Sequence, residues 1–362
     1  MHDPNDEISC KELLAIMVER GGTDLLLSVG QAPQIRVDKN LRALDFEHLT
    51  PDKSKELCYQ VMNEEQQRAL EDKGEVDFSF GLHDVSRFRA NVYMQRGSVS
   101  GAFRRIPYTI LSFEELSLPP IVKEMSDRPN GMVLVTGPTG CGKSTTLAAM
   151  LERVNNTRRC HIITIEDPIE YLHKHDKATV DQREVHADTQ SFHSALRSIL
   201  RQDPDVVLLG EMRDAESIQA AITVAETGHL CFATLHTNSC SQTLARIVDV
   251  FPGEKQPQIR TQLAMSLNCV MTQVLLPKIG GGMQLAMEIM VATPAVRALI
   301  RENKLHNIDN QIRLGSKFGM QSMNQSLASV VKSGLVAEED AMEASLDKDD
   351  FRKCMIELPE SY

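Results

Sequence analysis

Gly137-Pro138-Thr139-Gly140-Cys141-Gly142-Lys143-Ser144-Thr145 fits the pattern G-x-x-x-x-G-K-[ST], and its flanks fit as well as its letters. Before it runs an apolar segment, Met132 to Thr136 (MVLVT), that reads as a buried strand; after it comes TTLAAMLERV, a good helix former. Strand, glycine loop and helix in that order are the context that turns a pattern match into a phosphate-binding loop. The glycines let backbone N–H groups curl round a phosphate chain, and the helix N-terminus adds its partial positive charge. Lys143 is expected to reach the β- and γ-phosphates and Ser144 to hold Mg²⁺, with Gly137 through Thr145 together forming the nucleotide cradle.

Working outward, 362 residues leave room for two or three domains. No apolar run approaches the roughly 18 residues a membrane helix needs. The acidic start MHDPNDEISCKELL lacks the charged-then-apolar order of a secretion signal, so a cytoplasmic protein is expected. The net charge of −11 argues against free nucleic acid as a partner, because phosphate neutralisation needs clustered Lys and Arg. Eight cysteines stand singly at 10, 58, 141, 160, 231, 240, 269 and 354, with no C-x-x-C. That pattern reads as reduced thiols used as small core residues rather than a zinc ribbon or redox pair.

Residues 1–106 read as an α+β domain. Ser9-Cys10-Lys11-Glu12 is a capping box opening a helix that stops at Gly21-Gly22. Strand-like pieces follow at 25–29, 34–37 and 77–80, and Thr50-Pro51 opens another helix. The runs Ser86 to Gln95 and Ser98 to Ile106, joined by Arg96-Gly97, read as an arginine-bearing hairpin. A linker over 107–118 ends at Pro119-Pro120. From 119 to 293 the chain alternates strand and helix, which argues a parallel sheet covered on both faces. Strands are expected at 132–136, 161–165, 205–209, 230–235, 271–276 and 284–290, and helices at 144–156, 191–202, 214–227 and 239–250. The remainder, 294–362, reads as helical with a short acidic tail.

In a parallel α/β sheet, ligands bind at the carboxyl ends of the strands. HIITI is followed by Glu166-Asp167-Pro168, DVVLL by Gly210-Glu211, and CFATL by His236-Thr237. Triphosphate hydrolysis needs held Mg²⁺, a group that positions or deprotonates water, and cations for the developing charge. One division gives Glu211 the Mg²⁺ and Glu166 the water; the residues alone leave the assignment open. His229 and His236 bracket the fourth strand as candidate catalytic residues, His236 at its carboxyl end being the better placed to sense the γ-phosphate. Asp205 begins its strand and Asp214 reads as a helix cap, so both are structural. Arg87, Arg89, Arg96, Arg104 and Arg105 are candidates for arginine fingers, in cis or from a neighbouring subunit.

The combination of GPTGCGKSTT, TIEDPIEY, RQDPDVVLLGEMRD and TGHLCFATLHTN resembles the secretion ATPase superfamily, as its Walker A, Asp box, Walker B and His box. SRFRANVYMQRG, FPGEKQPQIRTQLA and the stretch Ala295 to Glu302 (AVRALIRE) are similar to the pilus-retraction branch of that superfamily. The resemblance implies a PAS-like N-terminal α+β domain, a RecA-like P-loop ATPase domain and a C-terminal helical region carrying a retraction motif. It implies a homohexamer with ATP bound between the domains, Glu166 as general base and Glu211 as the Walker B acid. It further implies that the ring turns an inner-membrane pilus platform protein, returns pilin to the membrane and supports twitching motility. A paralogous retraction ATPase is a further implied partner. Cys141, His186, Val296, Ala298 and Asn303 depart from the family's usual letters, which keeps an accessory retraction paralogue as an alternative. A pilus-assembly or type II secretion ATPase is the other alternative, but those carry a tetracysteine site that is missing here.

Overall fold

The computed structural model describes residues 8–37, 40–83, 85–106 and 109–357. The acidic stretch up to Glu7, the first two residues of the expected linker (107 and 108) and the last five residues of the chain lie outside the described residues. The chain divides into two compact units, Met1–Thr109 with Glu170–Leu172, and Ile110–Ile169 with His173–Tyr362.

The first unit runs α1 (Cys10–Glu19), β1 (Asp24–Leu27), β2 (Gln34–Val37), β3 (Asn40–Ala43), α2 (Pro51–Tyr59), α3 (Glu64–Lys73), β4 (Glu75–Leu82), β5 (Ser86–Gln95) and β6 (Ser98–Ile106). Both halves of the Ser9–Glu12 capping box form, and Thr50 caps α2 ahead of Pro51. The six strands pair antiparallel in the order β3-β2-β1-β6-β5-β4. Alternation along β5 buries Phe88, Ala90 and Val92 in a core with Leu13, Leu14 and Met17 of α1, Phe103 of β6 and Phe80 of β4. The hairpin turn is two residues long, with Arg96 at φ 49° and Gly97 at φ 76°. Positive φ at both positions is what a tight hairpin between right-twisted strands requires. β3 and α3 were not anticipated: β3 is exposed throughout, and α3 carries a single fully buried residue, Leu70, behind an Asn63–Gln66 capping box.

The second unit begins with α4 (Pro120–Ser126), β7 (Gly131–Thr136), α5 (Lys143–Thr157), β8 (His161–Glu166), β9 (Thr179–Glu184) and α6 (Phe192–Ile199). It continues through β10 (Val206–Leu209), α7 (Ala215–Glu226), β11 (Leu230–Leu235), α8 (Cys240–Asp249), α9 (Gln256–Ser266), β12 (Leu267–Pro277) and β13 (Met283–Val291). The sheet order is β13-β12-β7-β11-β10-β8-β9, parallel except for β13, which returns antiparallel along β12. Successive residues of β7 face opposite sides: Met132 and Leu134 join a core beneath α6 to α9, whereas Val133 and Val135 join one beneath α4 and α5. Both faces are thus covered, as a continuous apolar strand pattern demands. β9 escapes the apolar-run reading because TVDQRE carries three charges in six residues at the sheet edge.

Beyond the sheet come α10 (Pro294–Arg301), α11 (Ile308–Leu314), α12 (Met323–Lys332), α13 (Glu338–Ala344) and α14 (Lys348–Glu357). The expected short acidic tail is instead two helices. Its acids fall in the first turns of α13 and α14, where the helix dipole favours them, and Phe351 and Cys354 dock against Leu327, Ala328 and Leu276. In α10, Thr293 caps the start, Val296 and Ile300 enter the core, and Arg301 and Glu302 are exposed. Arg297 donates from Nε to the Ala292 carbonyl at 2.9 Å and from Nη1 to the Ala264 and Met265 carbonyls at the end of α9.

Candidate active site

The glycine loop joins the buried end of β7 to the start of α5. Gly137 has φ 138°, and a Cβ there would lie 2.4 Å from the carbonyl oxygen of Gln273 on β12, so only glycine lets the loop back onto its neighbour strand. The Gln273 side chain, fully buried, completes the brace. Its Nε2 donates to the Cys141 carbonyl at 2.7 Å, and its Oε1 accepts from the Thr146 hydroxyl at 3.1 Å. Pro138, Thr139 and Gly140 form an exposed crest, and α5 starts at Lys143 after Gly142 without a side-chain cap. The first N–H groups of a 15-residue helix therefore point toward the loop, the arrangement that attracts phosphate. Ser144 and Thr145 follow in the first turn, half-buried. Burial pushes the Cys141 thiol up, with Lys143 only partly opposing it, which marks an unreactive core thiol. None of the eight cysteines is in a disulfide, and seven are buried.

Lys143 is buried and lies back across its own loop. Its Nζ donates to the carbonyls of Gly137 at 2.9 Å and Pro138 at 3.1 Å, and sits 3.4 Å from His236 Nδ1. The parallel register β7-β11-β10-β8 brings the ends of these strands side by side, so Glu166, Glu211 and His236 reach one sheet edge. His236 Nε2 is 3.2 Å from Glu211 Oε1, and Arg213 Nε donates to Glu211 Oε2 at 2.9 Å. A line of polar contacts thus runs from Lys143 through His236 to Glu211 and Arg213. Glu166 is 8% exposed, and its Oε1 accepts from the Thr164 hydroxyl at 2.6 Å and from Gln182 Nε2 at 3.2 Å. At Gly210 a Cβ would lie 3.2 Å from the Ile165 carbonyl and 3.3 Å from the Cα of Glu166. The missing side chain keeps the Glu166 and Glu211 backbones close.

Not every expected residue joins this cluster. His229 stands at the opposite, amino end of six-residue β11, its Nδ1 3.0 Å from the Thr227 hydroxyl and 3.1 Å from the Val224 carbonyl. Strand polarity separates it from His236, and its contacts tie it to the end of α7. Asp205 accepts from the His161 N–H at 2.8 Å, at the same far end. Asp214 caps α7, accepting from the N–H of Ser217 at 2.8 Å and its hydroxyl at 2.9 Å. Burial works against its charge, but Ser217 and His193 hold its carboxyl below the usual range. The arginines belong to the first unit. There Arg104 donates to Asp24 at 2.8 Å, Arg89 is 4.0 Å from Asp77, Arg96 occupies the hairpin turn, and Arg87 and Arg105 lie on β5 and β6. Sequence reading missed Gln273, Gln182, Thr164 and Arg213. Gln273 had a signal, an amide inside the apolar run LNCVMTQVLLP.

Among the described residues no group of three or more His, Cys, Asp or Glu is disposed to hold a metal on its own. A metal here would draw most of its ligands from phosphate and water, with Ser144 and Glu211 as the protein's share. That fits Mg²⁺, which keeps several waters and takes one or two protein oxygens at nucleotide sites.

Residues 109–328 match the family described as Type II/IV secretion system protein. Across 94% of this chain and 99% of the relative, the sequence is 48% identical to the type IV pilus retraction ATPase PilT of Pseudomonas aeruginosa. It is 39% identical to the type IV pilus ATPase PilU of the same organism, over 96% of this chain and 91% of that one. Among solved structures, the pilus retraction motor PilT with bound ADP superposes with a TM-score of 0.89 at 49% identity, covering 96% of this chain and 99% of that chain.

Proposed function

Because the chain belongs to the Type II/IV secretion system protein family, we propose that it is an ATPase motor that drives retraction of a type IV pilus. The observation that carries this reading is the reach of the likeness to a retraction ATPase, which runs through both units and past the ATPase core into α10. Likeness confined to the phosphate loop and strand ends would support hydrolysis without direction.

At the site, the loop from Gly137 to Thr145 wraps the phosphates, and Lys143 leaves its own loop carbonyls for phosphate oxygens. Ser144 and Glu211 hold Mg²⁺, which when bound neutralises charge on the β- and γ-phosphates. Glu166 orients the attacking water and takes its proton. His236, in contact with both Lys143 and Glu211, registers whether the γ-phosphate is present. Arg89, Arg96 and Arg104 are the candidates for arginine fingers of a homohexamer. The ring acts on a platform protein at the cytoplasmic face of the inner membrane; among the described residues no helix is long and apolar enough to cross it.

The accessory reading, a motor that assists a principal retraction ATPase as a paralogue, is supported by the likeness to PilU and by letters such as His186, a non-glycine residue at φ 69°. Deleting the gene separates the possibilities. A principal retraction motor leaves cells piliated and unable to twitch, and an accessory motor leaves twitching present but weakened. A bald strain would contradict retraction and point to assembly.

A further inference from the structure

Glu166 is held by a small device of neutral side chains on β8 and β9. In the parallel register of these strands Thr164 lies directly opposite Gln182. Thr164 and Glu166, two residues apart on one strand, share a face. Both neighbours place a neutral donor on the same oxygen, Oε1: the Thr164 hydroxyl at 2.6 Å and the Gln182 amide at 3.2 Å. The orientation of Gln182 is fixed in turn, because its Oε1 accepts from the His173 N–H at 2.9 Å. A flipped amide would turn a donor toward that N–H and an acceptor toward a carboxylate, losing both bonds. The Glu166 backbone is pinned as well, its carbonyl accepting from the Val185 N–H at 2.9 Å. Thr164 is fully buried and Glu166 nearly so, which puts these bonds in a setting where unmatched polar atoms are costly.

A base that directs water at a phosphorus atom needs its carboxylate aimed to within a fraction of an ångström. Two donors converging on one oxygen fix the torsion of the carboxylate. From this geometry we propose that Thr164 and Gln182 are positioning residues that fix the aim of the Glu166 carboxylate at the attacking water. The inference rests on the reading of Glu166 as the base. It assigns no contact with nucleotide to either residue.

The test compares Thr164→Val, Thr164→Ser, Gln182→Leu and Glu166→Gln in the full chain, reading steady-state ATP turnover, affinity for a fluorescent ADP analogue and Tm. General-base catalysis is worth about 10²- to 10⁴-fold, and loss of aim forfeits part of it. Thr164→Val is therefore expected to lower kcat about tenfold or more, with ADP affinity unchanged within about twofold. Thr164→Ser, which restores the hydroxyl, should recover most of kcat. Gln182→Leu, at a half-buried site that tolerates change better, should lower kcat several-fold with the same split. Unchanged kcat in both Thr164→Val and Gln182→Leu would overturn the proposal. So would a parallel fall in kcat, ADP affinity and Tm that serine does not rescue, the mark of a merely structural role. Full turnover in Glu166→Gln would instead remove the base reading on which the proposal stands.

Discussion

Replacing Gln273 with methionine removes the brace behind the phosphate loop while nearly keeping the side chain's length and volume. Two partners lose their bonds: the Cys141 carbonyl, held at 2.7 Å, and the Thr146 hydroxyl, held at 3.1 Å with Thr146 itself buried. Each buried polar atom left unmatched costs about 1–3 kcal/mol. The substitution is close to volume-conserving, so packing adds little. With the loop carbonyl able to find water more readily than the hydroxyl, the total is about 2–4 kcal/mol. For a unit of this size one kcal/mol moves Tm by roughly 2–4 °C, so a fall of roughly 4–16 °C is expected in nucleotide-free protein. Scanning calorimetry measures it, and isothermal titration of ADP accompanies it. Because the brace shapes the loop before phosphate arrives, ADP affinity should also weaken, by about tenfold. A Tm within about 2 °C of the parent together with unchanged ADP affinity would refute the reasoning that Gln273 holds the loop.

The same loop separates two glycines. Gly137→Ala drives a Cβ to 2.4 Å from the Gln273 carbonyl oxygen and should abolish ADP binding in titration calorimetry. Gly140→Ala, at φ 80° with open space around the added carbon, should cost only about 1–2 kcal/mol of backbone strain and retain binding. His161 supplies a pH signature. Burial opposes its charge, but Asp181 at 3.0 Å and the Asp203 carbonyl outweigh burial and raise its pKa. A raised histidine contributes stability that is complete below its unfolded pKa near 6.5 and fades as pH rises through the folded value. Asp181→Asn should therefore cost about 0.5 kcal/mol in urea unfolding at pH 6, and nothing measurable at pH 8.5. Ile300, fully buried in α10, should cost about 2–5 kcal/mol when cut to alanine, whereas exposed Arg301→Ala should leave urea stability unchanged.

The alternating core and its loop were legible because their signals are local. MVLVT, HIITI and CFATL are short apolar runs with polar residues beside them, and residues placed just after such strands reach one sheet edge whatever the remaining packing. The edge strand β9 was not legible, since a charged sequence with no apolar alternation becomes a strand only by pairing with β8. Gln182 disappeared with it, and with Gln182 the support of Glu166. The separation of His229 from this cluster was hidden for a related reason. Two histidines bracketing one strand look equivalent in sequence, while strand polarity sends them to opposite ends of the sheet. The acidic C-terminal segment was read by composition, although its acids sit where helix N-termini favour them and Phe351 anchors it to the core.

The account depends above all on Glu166 carrying out the hydrolysis that powers the motor. Phosphate release by Glu166→Gln, measured alongside ADP binding in the same preparation, tests this most directly. The account predicts ADP affinity within about twofold of the parent and turnover lower by at least about 10²-fold. Phosphate release at the parental rate would contradict it.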